Sequence, residues 1–164
     1  MPRKPRVEVP GLLYHLIVRG IERRPIFIDR DDYTDFLERF GKCLTESSPA
    51  QCYAWVLMPN HVHLLVRRGT KPLSQLMRRV LTGYAVNFNW RYKRAGHLFQ
   101  NRYKAIICDE ETYLLELIRY IHLNPLRAKL VKDMAELAQY EWSGYAVLLG
   151  ERPCRWQETE EILV

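Results

Sequence analysis

Apolar and polar positions alternate along the chain in a way that predicts four strands and three principal helices. Strand-like patterns cover residues 12–19, 52–58, 61–68 and 98–108. Apolar residues recur at helical spacing over residues 29–46, capped by Asp29 or Asp31, and over residues 72–94. A third helix is predicted to begin near Asp109 and to end by Asn124, because Pro125 disfavours the α conformation in the residue before it.

The order of these elements predicts the fold class. β-α-β-β-α-β followed by helices is typical of an α+β, ferredoxin-like split βαβ fold with an antiparallel sheet. In such a sheet the two crossover helices cover one face, and the other face is left for the C-terminal helices or for a partner. Asn124 is predicted to cap a further helix that begins at Pro125.

Length and composition limit the class of protein. The 164 residues fit one domain of ordinary size. No apolar run approaches the roughly 18–20 residues of a membrane span, and the basic N-terminus has no apolar stretch behind it, so we expect neither a membrane anchor nor a signal peptide. The four cysteines form no C-x-x-C pair. These features favour a cytoplasmic protein.

Two histidines on the third predicted strand are candidate metal ligands. His61 and His63 are two residues apart, so their side chains point to the same face of the sheet, whereas Val62, Leu64 and Val66 point to the other. Two imidazoles that converge from a rigid strand are a plausible half-site for a divalent metal. A pair of surface histidines near a turn is the alternative.

The third helix carries a candidate nucleophile. At about 100° per residue, Tyr113, Tyr120 and Asn124 lie on one stripe, and Tyr120 and Asn124 are one turn apart. A tyrosine beside a metal-bound phosphate can act as a nucleophile. The alternatives are that Tyr120 is a half-buried core residue and that Asn124 only caps a helix. Tyr120 is preferred over Tyr113, which lies near acidic residues at the start of the helix.

The distribution of charge is uneven. The net charge is +6, but no acidic residue occurs between Ser47 and Cys108, and these 62 residues carry ten lysines and arginines. Such a block favours a polyanionic partner. Solvated surface helices are the alternative, although an ordinary soluble surface mixes both signs.

Several segments resemble one family. The segment YAWVLMPNHVHLLV (residues 53–66) resembles the histidine-hydrophobic-histidine (HUH) strand of single-tyrosine transposases. GHLFQNRYKA (96–105), YIHLNPLRA (120–128) and the start PGLLYH (10–15) resemble the REP-associated branch of that family. The resemblance runs from about Arg3 to Val131, and the sequence after Ala135 is only loosely similar.

The resemblance implies one catalytic domain over residues 1–164, with a core of about 7–131 and a C-terminal extension of 132–164. Members cleave single-stranded DNA through a 5′-phosphotyrosine and rejoin it, here most plausibly at hairpin-forming repeats. His61, His63 and Asn124 would bind Mg²⁺ or Mn²⁺, and Tyr120 would be the nucleophile. A domesticated, non-catalytic protein that binds hairpin DNA is the alternative. Both a monomer and a homodimer stay open, and a DNA partner implies association with the nucleoid.

The basic block would then bind DNA, because cations with aromatic residues between them suit single strands. The predicted DNA contacts are Arg67, Arg68, Arg78, Arg79, Trp90, Arg91, Lys93, Arg94, Arg102 and Lys104, with Arg3, Lys4 and Arg6 as an N-terminal arm.

Overall fold

Four antiparallel strands form one sheet in the computed structural model, which describes residues 9–163. The strands are β1 (Leu13–Arg19), β2 (Gln51–Met58), β3 (His61–Arg67) and β4 (Lys104–Cys108). They lie in the order β2-β3-β1-β4. This is the arrangement of a split βαβ fold, in which β3 separates the two strands that α1 connects. The predicted α+β fold class is confirmed.

Helices follow the first and third strands and then fill the C-terminal third. They are α1 (Arg30–Lys42, continuing as a wide turn over Cys43–Ser47), α2 (Leu73–Arg91), α3 (Glu110–His122), α4 (Asn124–Arg127), α5 (Met134–Gln139), α6 (Tyr145–Leu148) and α7 (Glu160–Leu163). Asp29 caps α1, and Asp32 completes a reciprocal capping box. Helix α2 ends before the predicted boundary at Arg94 because Lys93 has a left-handed backbone, with φ of 51°. No helix within residues 9–163 is long and apolar enough to cross a membrane.

The junction between α3 and α4 differs from the prediction in one respect. Helix α3 ends before Pro125, as expected, but α4 begins at Asn124, so Asn124 is not the cap of a helix that starts at Pro125. Its side-chain amide donates backwards to the carbonyls of Tyr120 and Ile121, at 3.1 and 3.3 Å. The last carbonyls of a helix lack partners within it, and Asn124 therefore satisfies the end of α3.

The fourth strand is shorter than predicted. Residues 98–103 are irregular, although Phe99 makes a single antiparallel bridge to Gly20. Asn101 interrupts the extended backbone with a left-handed φ of 55°. The segment is instead held by hydrogen bonds from Ile21 N–H to the carbonyl of Leu98 and from Gln100 N–H to the carbonyl of Arg19.

The two faces of the sheet are covered by different helices. Alternate residues of β3, namely Val62, Leu64 and Val66, are buried against α1 and α2 in the larger apolar cluster. On the opposite face, Leu65 packs with Ile118 and Ile121 of α3 in a smaller cluster. The alternation read from the sequence therefore places His61 and His63 on the α3 face, as predicted.

The C-terminal segment covers the outer edge of β2. Backbone hydrogen bonds join Leu57 to Trp142, Trp55 to Gly144 and Cys52 to Glu158. An uncovered edge strand presents unpaired backbone groups that invite aggregation. The extension for which the sequence suggests no role thus completes the backbone hydrogen bonding of the sheet.

Candidate active site

The register of the strands brings three histidines together, although the sequence had pointed to two. In the antiparallel pairing of β1 with β3, Arg19 lies opposite His61, Ile17 opposite His63 and His15 opposite Leu65. The ring centroids of His61 and His63 are 5.1 Å apart, and those of His15 and His63 are also 5.1 Å apart. His15 was missed as a site residue because the pairing of two strands distant in sequence sets its position.

In both His61 and His63, the ring nitrogen Nδ1 is within hydrogen-bond distance of a neighbouring side chain. His61 Nδ1 is 2.7 Å from Oδ1 of Asn60, and His63 Nδ1 is 2.9 Å from Nε2 of His15. The carboxamide oxygen of Asn60 only accepts, so His61 carries its proton on Nδ1 and its Nε2 keeps a lone pair. If His63 likewise donates from Nδ1 to His15, its Nε2 also keeps a lone pair. Both imidazoles then offer Nε2 as a metal donor, with partners that fix their orientation.

Burial keeps these imidazoles neutral at physiological pH. His15 and His63 are buried, and His61 is half-buried. Burial, reinforced by the charge of Lys104 for His15 and of Arg19 for His61, lowers the pKa of both to about 4. For His63, burial lowers the pKa to about 3, helped by the adjacent His15 and His61, which oppose a further proton, and by the charges of Arg19 and Arg127. Neutral imidazole is the form that binds metals.

Tyr120 lies beside the histidines with its ring edge-on to two of them. Its ring centroid is 6.1 Å from that of His15 and 6.1 Å from that of His63. The buried residues Ile118 and Ile121 dock α3 on the sheet, while Tyr120 stays 43% exposed. A side chain in this position can meet both a histidine-bound group and a ligand from solvent.

Tyr113 has no such neighbours. It is 50% exposed and two turns earlier on α3. In the described part of the chain, the only tyrosine with ring contacts to these histidines is Tyr120. The geometry therefore favours Tyr120 over Tyr113, in line with the preference drawn from the sequence.

Arg127, which the sequence did not indicate as a site residue, packs against Tyr120. The guanidinium of Arg127 lies 4.3 Å from the centroid of the Tyr120 ring, and its Nη2 donates to the Tyr120 carbonyl at 2.8 Å. Its charge also contributes to the lowered pKa of His63. Arg127 belongs to the segment YIHLNPLRA, and the turn from α3 into α4 brings its side chain against Tyr120.

The donor set suits a divalent cation only with help from other ligands. Within the described residues no group of three or more His, Cys, Asp or Glu side chains is arranged to hold a metal ion. His61 and His63 are nitrogen donors, and the third predicted ligand, Asn124, follows Tyr120 by one turn with its amide nitrogen donating to the carbonyls of Tyr120 and Ile121. A divalent cation on the two imidazoles would need further oxygen ligands, such as an amide oxygen, a phosphate and water. This mixture fits Mn²⁺ by ligand type and tolerates Mg²⁺.

The predicted DNA-contacting residues fall into two groups. Four arginines are braced by the protein itself. Arg67 donates to the Tyr53 hydroxyl, Arg68 to the Lys71 carbonyl and Arg94 to Asn89, while Arg91 forms ion pairs with Asp29 and Asp32. The second group is exposed and consists of Arg78, Arg79, Trp90, Lys93, Arg102 and Lys104. Arg3, Lys4 and Arg6 lie outside the described residues.

Comparisons with known proteins identify the family. The model of the IS200-like transposases matches residues 8–124. The chain belongs to the IS200-like transposase family. This confirms the family inferred from residues 53–66, 96–105 and 120–128, and it makes the protein a DNA transposase by membership. A search of curated protein sequences gives no match.

One solved structure shares this fold over nearly the whole chain. A structure described as the REP-associated tyrosine transposase bound to a REP hairpin superimposes with a TM-score of 0.73 at 17% identity, covering 96% of this chain and 98% of that chain. A transposase from Deinococcus radiodurans matches with a TM-score of 0.47 at 21% identity, covering 73% of this chain and 95% of that chain. The first match shows that the fold extends through the C-terminal segment.

Proposed function

We propose that this transposase cleaves and rejoins single-stranded DNA at hairpin-forming repeats through a covalent 5′-phosphotyrosine on Tyr120. The observation that carries the proposal is the contact of the Tyr120 ring with the rings of His15 and His63 on the α3 face. The similarity in fold to a tyrosine transposase bound to a REP hairpin supports hairpin DNA as the substrate.

Three residues would hold the divalent cation, Mg²⁺ or Mn²⁺. His61 and His63 would bind it through Nε2, since their Nδ1 atoms are already hydrogen bonded, and Asn124 through its amide oxygen. When bound, the cation withdraws charge from the scissile phosphate and orients it. Asn60 and His15 act as positioning residues, because each holds the ring of a ligand through Nδ1.

The chemical step conserves the number of phosphodiester bonds. The Tyr120 hydroxyl attacks phosphorus, the Oη–P bond forms, and the P–O3′ bond breaks. The proton of the hydroxyl is transferred to the departing 3′ oxygen, which leaves as a free 3′-hydroxyl. Arg127 presents a positive charge beside the tyrosine ring, where it would favour the negative charge that a phosphate brings to the site. The reverse reaction rejoins strands without a nucleotide cofactor.

The decisive test is the site of the covalent adduct. Wild-type protein, incubated with labelled hairpin DNA and Mn²⁺, should form an adduct that survives a denaturing gel. Tyr120→Phe removes one hydroxyl from a half-exposed ring, so it should fold and bind DNA but form no adduct. The matched control Tyr113→Phe should still form it.

Three results would overturn the proposal. An adduct mapped by peptide sequencing to Tyr113 would refute the assignment of the nucleophile. Hairpin binding by the wild type without any adduct would favour the alternative of a non-catalytic DNA-binding protein. Cleavage that leaves no covalent protein would instead indicate a hydrolytic nuclease.

A further inference from the structure

A groove runs along the outer side of α2, away from the histidines. It lies between α2 and the irregular segment Gly96–Tyr103 and encloses about 750 Å³, a volume in the range of ligand sites. We call it the α2 groove. Asn89 closes one part of it, because its side-chain amide donates to the Gly96 carbonyl at 3.0 Å.

The lining of the α2 groove combines apolar surface with positive charge. Its apolar side chains are Leu81, Ala85, Val86, Leu98 and Phe99. Val86 is 65% exposed, so it adds open apolar surface to the apolar side chains that line the groove. The cations on its rim are Arg78 and Arg102, and none of the described residues that line it is acidic. A ligand with flat apolar parts and negative charge complements this surface.

Backbone hydrogen bonds tie the groove to the end of the sheet that carries the histidines. Leu98 and Gln100 are bonded to Ile21 and Arg19, at 2.9 and 2.8 Å. Arg19 in turn lies opposite His61 in the β1–β3 pairing. These bonds place the irregular segment that borders the groove at the same end of the sheet as His61, within reach of a DNA strand bound at the candidate active site.

We propose that the α2 groove binds unstacked bases of the single strand that flanks the cleaved phosphate, with the strand's phosphates on Arg78 and Arg102. The proposal rests on single-stranded DNA being the substrate, as proposed above. Bases stack on flat apolar and aromatic surfaces without regard to sequence, and guanidinium groups neutralise the backbone between them. Trp90 lies one turn beyond Val86 on α2 and is 78% exposed, so it extends the stacking surface past the groove.

The test fills the groove without changing charge. Thr82 is exposed and lines the groove, so Thr82→Trp places a large ring inside it. Binding is measured by fluorescence anisotropy in the Tyr120→Phe background, with a hairpin that carries a single-stranded tail and with the same hairpin lacking it. We expect Thr82→Trp to lose about tenfold in affinity for the tailed hairpin, and to bind the tailless hairpin as the parent does.

A matched variant controls for the added tryptophan. Thr45→Trp makes the same change at an exposed position beyond α1 and should bind both DNAs as the parent does. If thermal melting shows that Thr82→Trp is unfolded, Arg78→Ala replaces it. That variant should weaken binding of the tailed hairpin and reduce the magnitude of its log–log salt slope by about one.

Crosslinking identifies the occupant directly. With 5-iododeoxyuridine placed along the tail, we expect photo-crosslinks to Phe99 or Tyr103, mapped by mass spectrometry. Unchanged tailed binding by folded Thr82→Trp would overturn the proposal, and so would equal losses on both DNAs. A Thr82→Trp effect confined to oligomeric state, measured by sedimentation, would also overturn it and would make the groove an interface between copies. None of these outcomes affects adduct formation by the wild type, which tests the proposed function separately.

Discussion

The two faces of the sheet are built from the same strands but have opposite character. On β3, Val62, Leu64 and Val66 are fully buried and face α1 and α2 in an apolar core. His61 and His63, which alternate with Val62 and Leu64, face α3 and bring polar atoms under a helix. The period of two along β3 thus places Val62, Leu64 and Val66 in the larger core and the histidines of the candidate site on the other face, where Leu65 packs in the smaller apolar cluster.

Buried titratable groups sharpen this contrast. The histidines with lowered pKa, namely His15, His61, His63 and His122, all lie on strand positions facing α3 or on α3 itself. The α1–α2 side buries Asp32, but its carboxylate is satisfied by backbone N–H groups, by Tyr92 and by Arg91. One face is therefore a stable scaffold, and the other holds its polar groups in an environment that disfavours their charged form.

The largest expected effect is that of His63→Ala on adduct formation, which is measured separately from DNA binding. His63→Ala should abolish adduct formation, because it removes a proposed metal ligand, while hairpin affinity should stay within a few-fold because the proposed arginine contacts to phosphate are unchanged. Gel analysis of adducts and fluorescence anisotropy measure the two quantities. Wild-type protein in excess EDTA should behave in the same way. Adducts that form in EDTA would contradict a role for the metal, and loss of DNA binding by a folded His63→Ala would indicate that the pair recognises DNA.

Local patterns in the sequence predicted the scaffold well. Alternation and helical spacing depend on neighbours a few residues apart, and for this reason all four strands, the three long helices and the shared face of His61 and His63 could be read directly. Left-handed residues such as Lys93 and Asn101 shortened two elements, and nothing in the pattern marks them.

Contacts between distant segments could not be read in this way. His15 joins the site through the register of β1 on β3, and Arg127 through the turn into α4. The basic block illustrates the same limit. Counting charges cannot show that Arg91 is paired with Asp29 and Asp32, which lie about sixty residues earlier in the chain.

A core truncation should affect the scaffold alone. Leu64 is fully buried on the α1–α2 face, and Leu64→Ala should reduce the free energy of unfolding by about 2–5 kcal/mol. The same variant should bind Mn²⁺ within twofold of the wild type at a temperature where it remains folded. Urea unfolding and calorimetric titration measure these values. A cost below about 1 kcal/mol would mean that this face is not the main source of stability.

Substitution of His15 tests whether this residue orients the His63 ring on the α3 face. His15→Phe keeps a ring but removes the atom that pairs with His63 Nδ1, so Mn²⁺ affinity should fall by about 10- to 100-fold. His15→Gln retains an acceptor and should recover most of that loss. Calorimetric titration of Mn²⁺ without DNA measures binding apart from catalysis. Equal affinities for the two variants would refute a positioning role.

The smallest expected effect is a loss of folding stability in acid that arises from His122. This side chain is buried beside Tyr145, neither of its ring nitrogens has a hydrogen-bond partner among residues 9–163, and burial lowers its pKa to about 3. Above pH 6.5 the imidazole is neutral in both the folded and the unfolded states. Below pH 6.5 only the unfolded state binds the proton, so His122 alone should cost about 1.4 kcal/mol at pH 5.5. Urea unfolding in EDTA at pH 7.5 and 5.5 should therefore show a smaller loss for His122→Phe than for the wild type. Equal losses would place the acid-sensitive group elsewhere, with His15 and His63 the next residues to substitute.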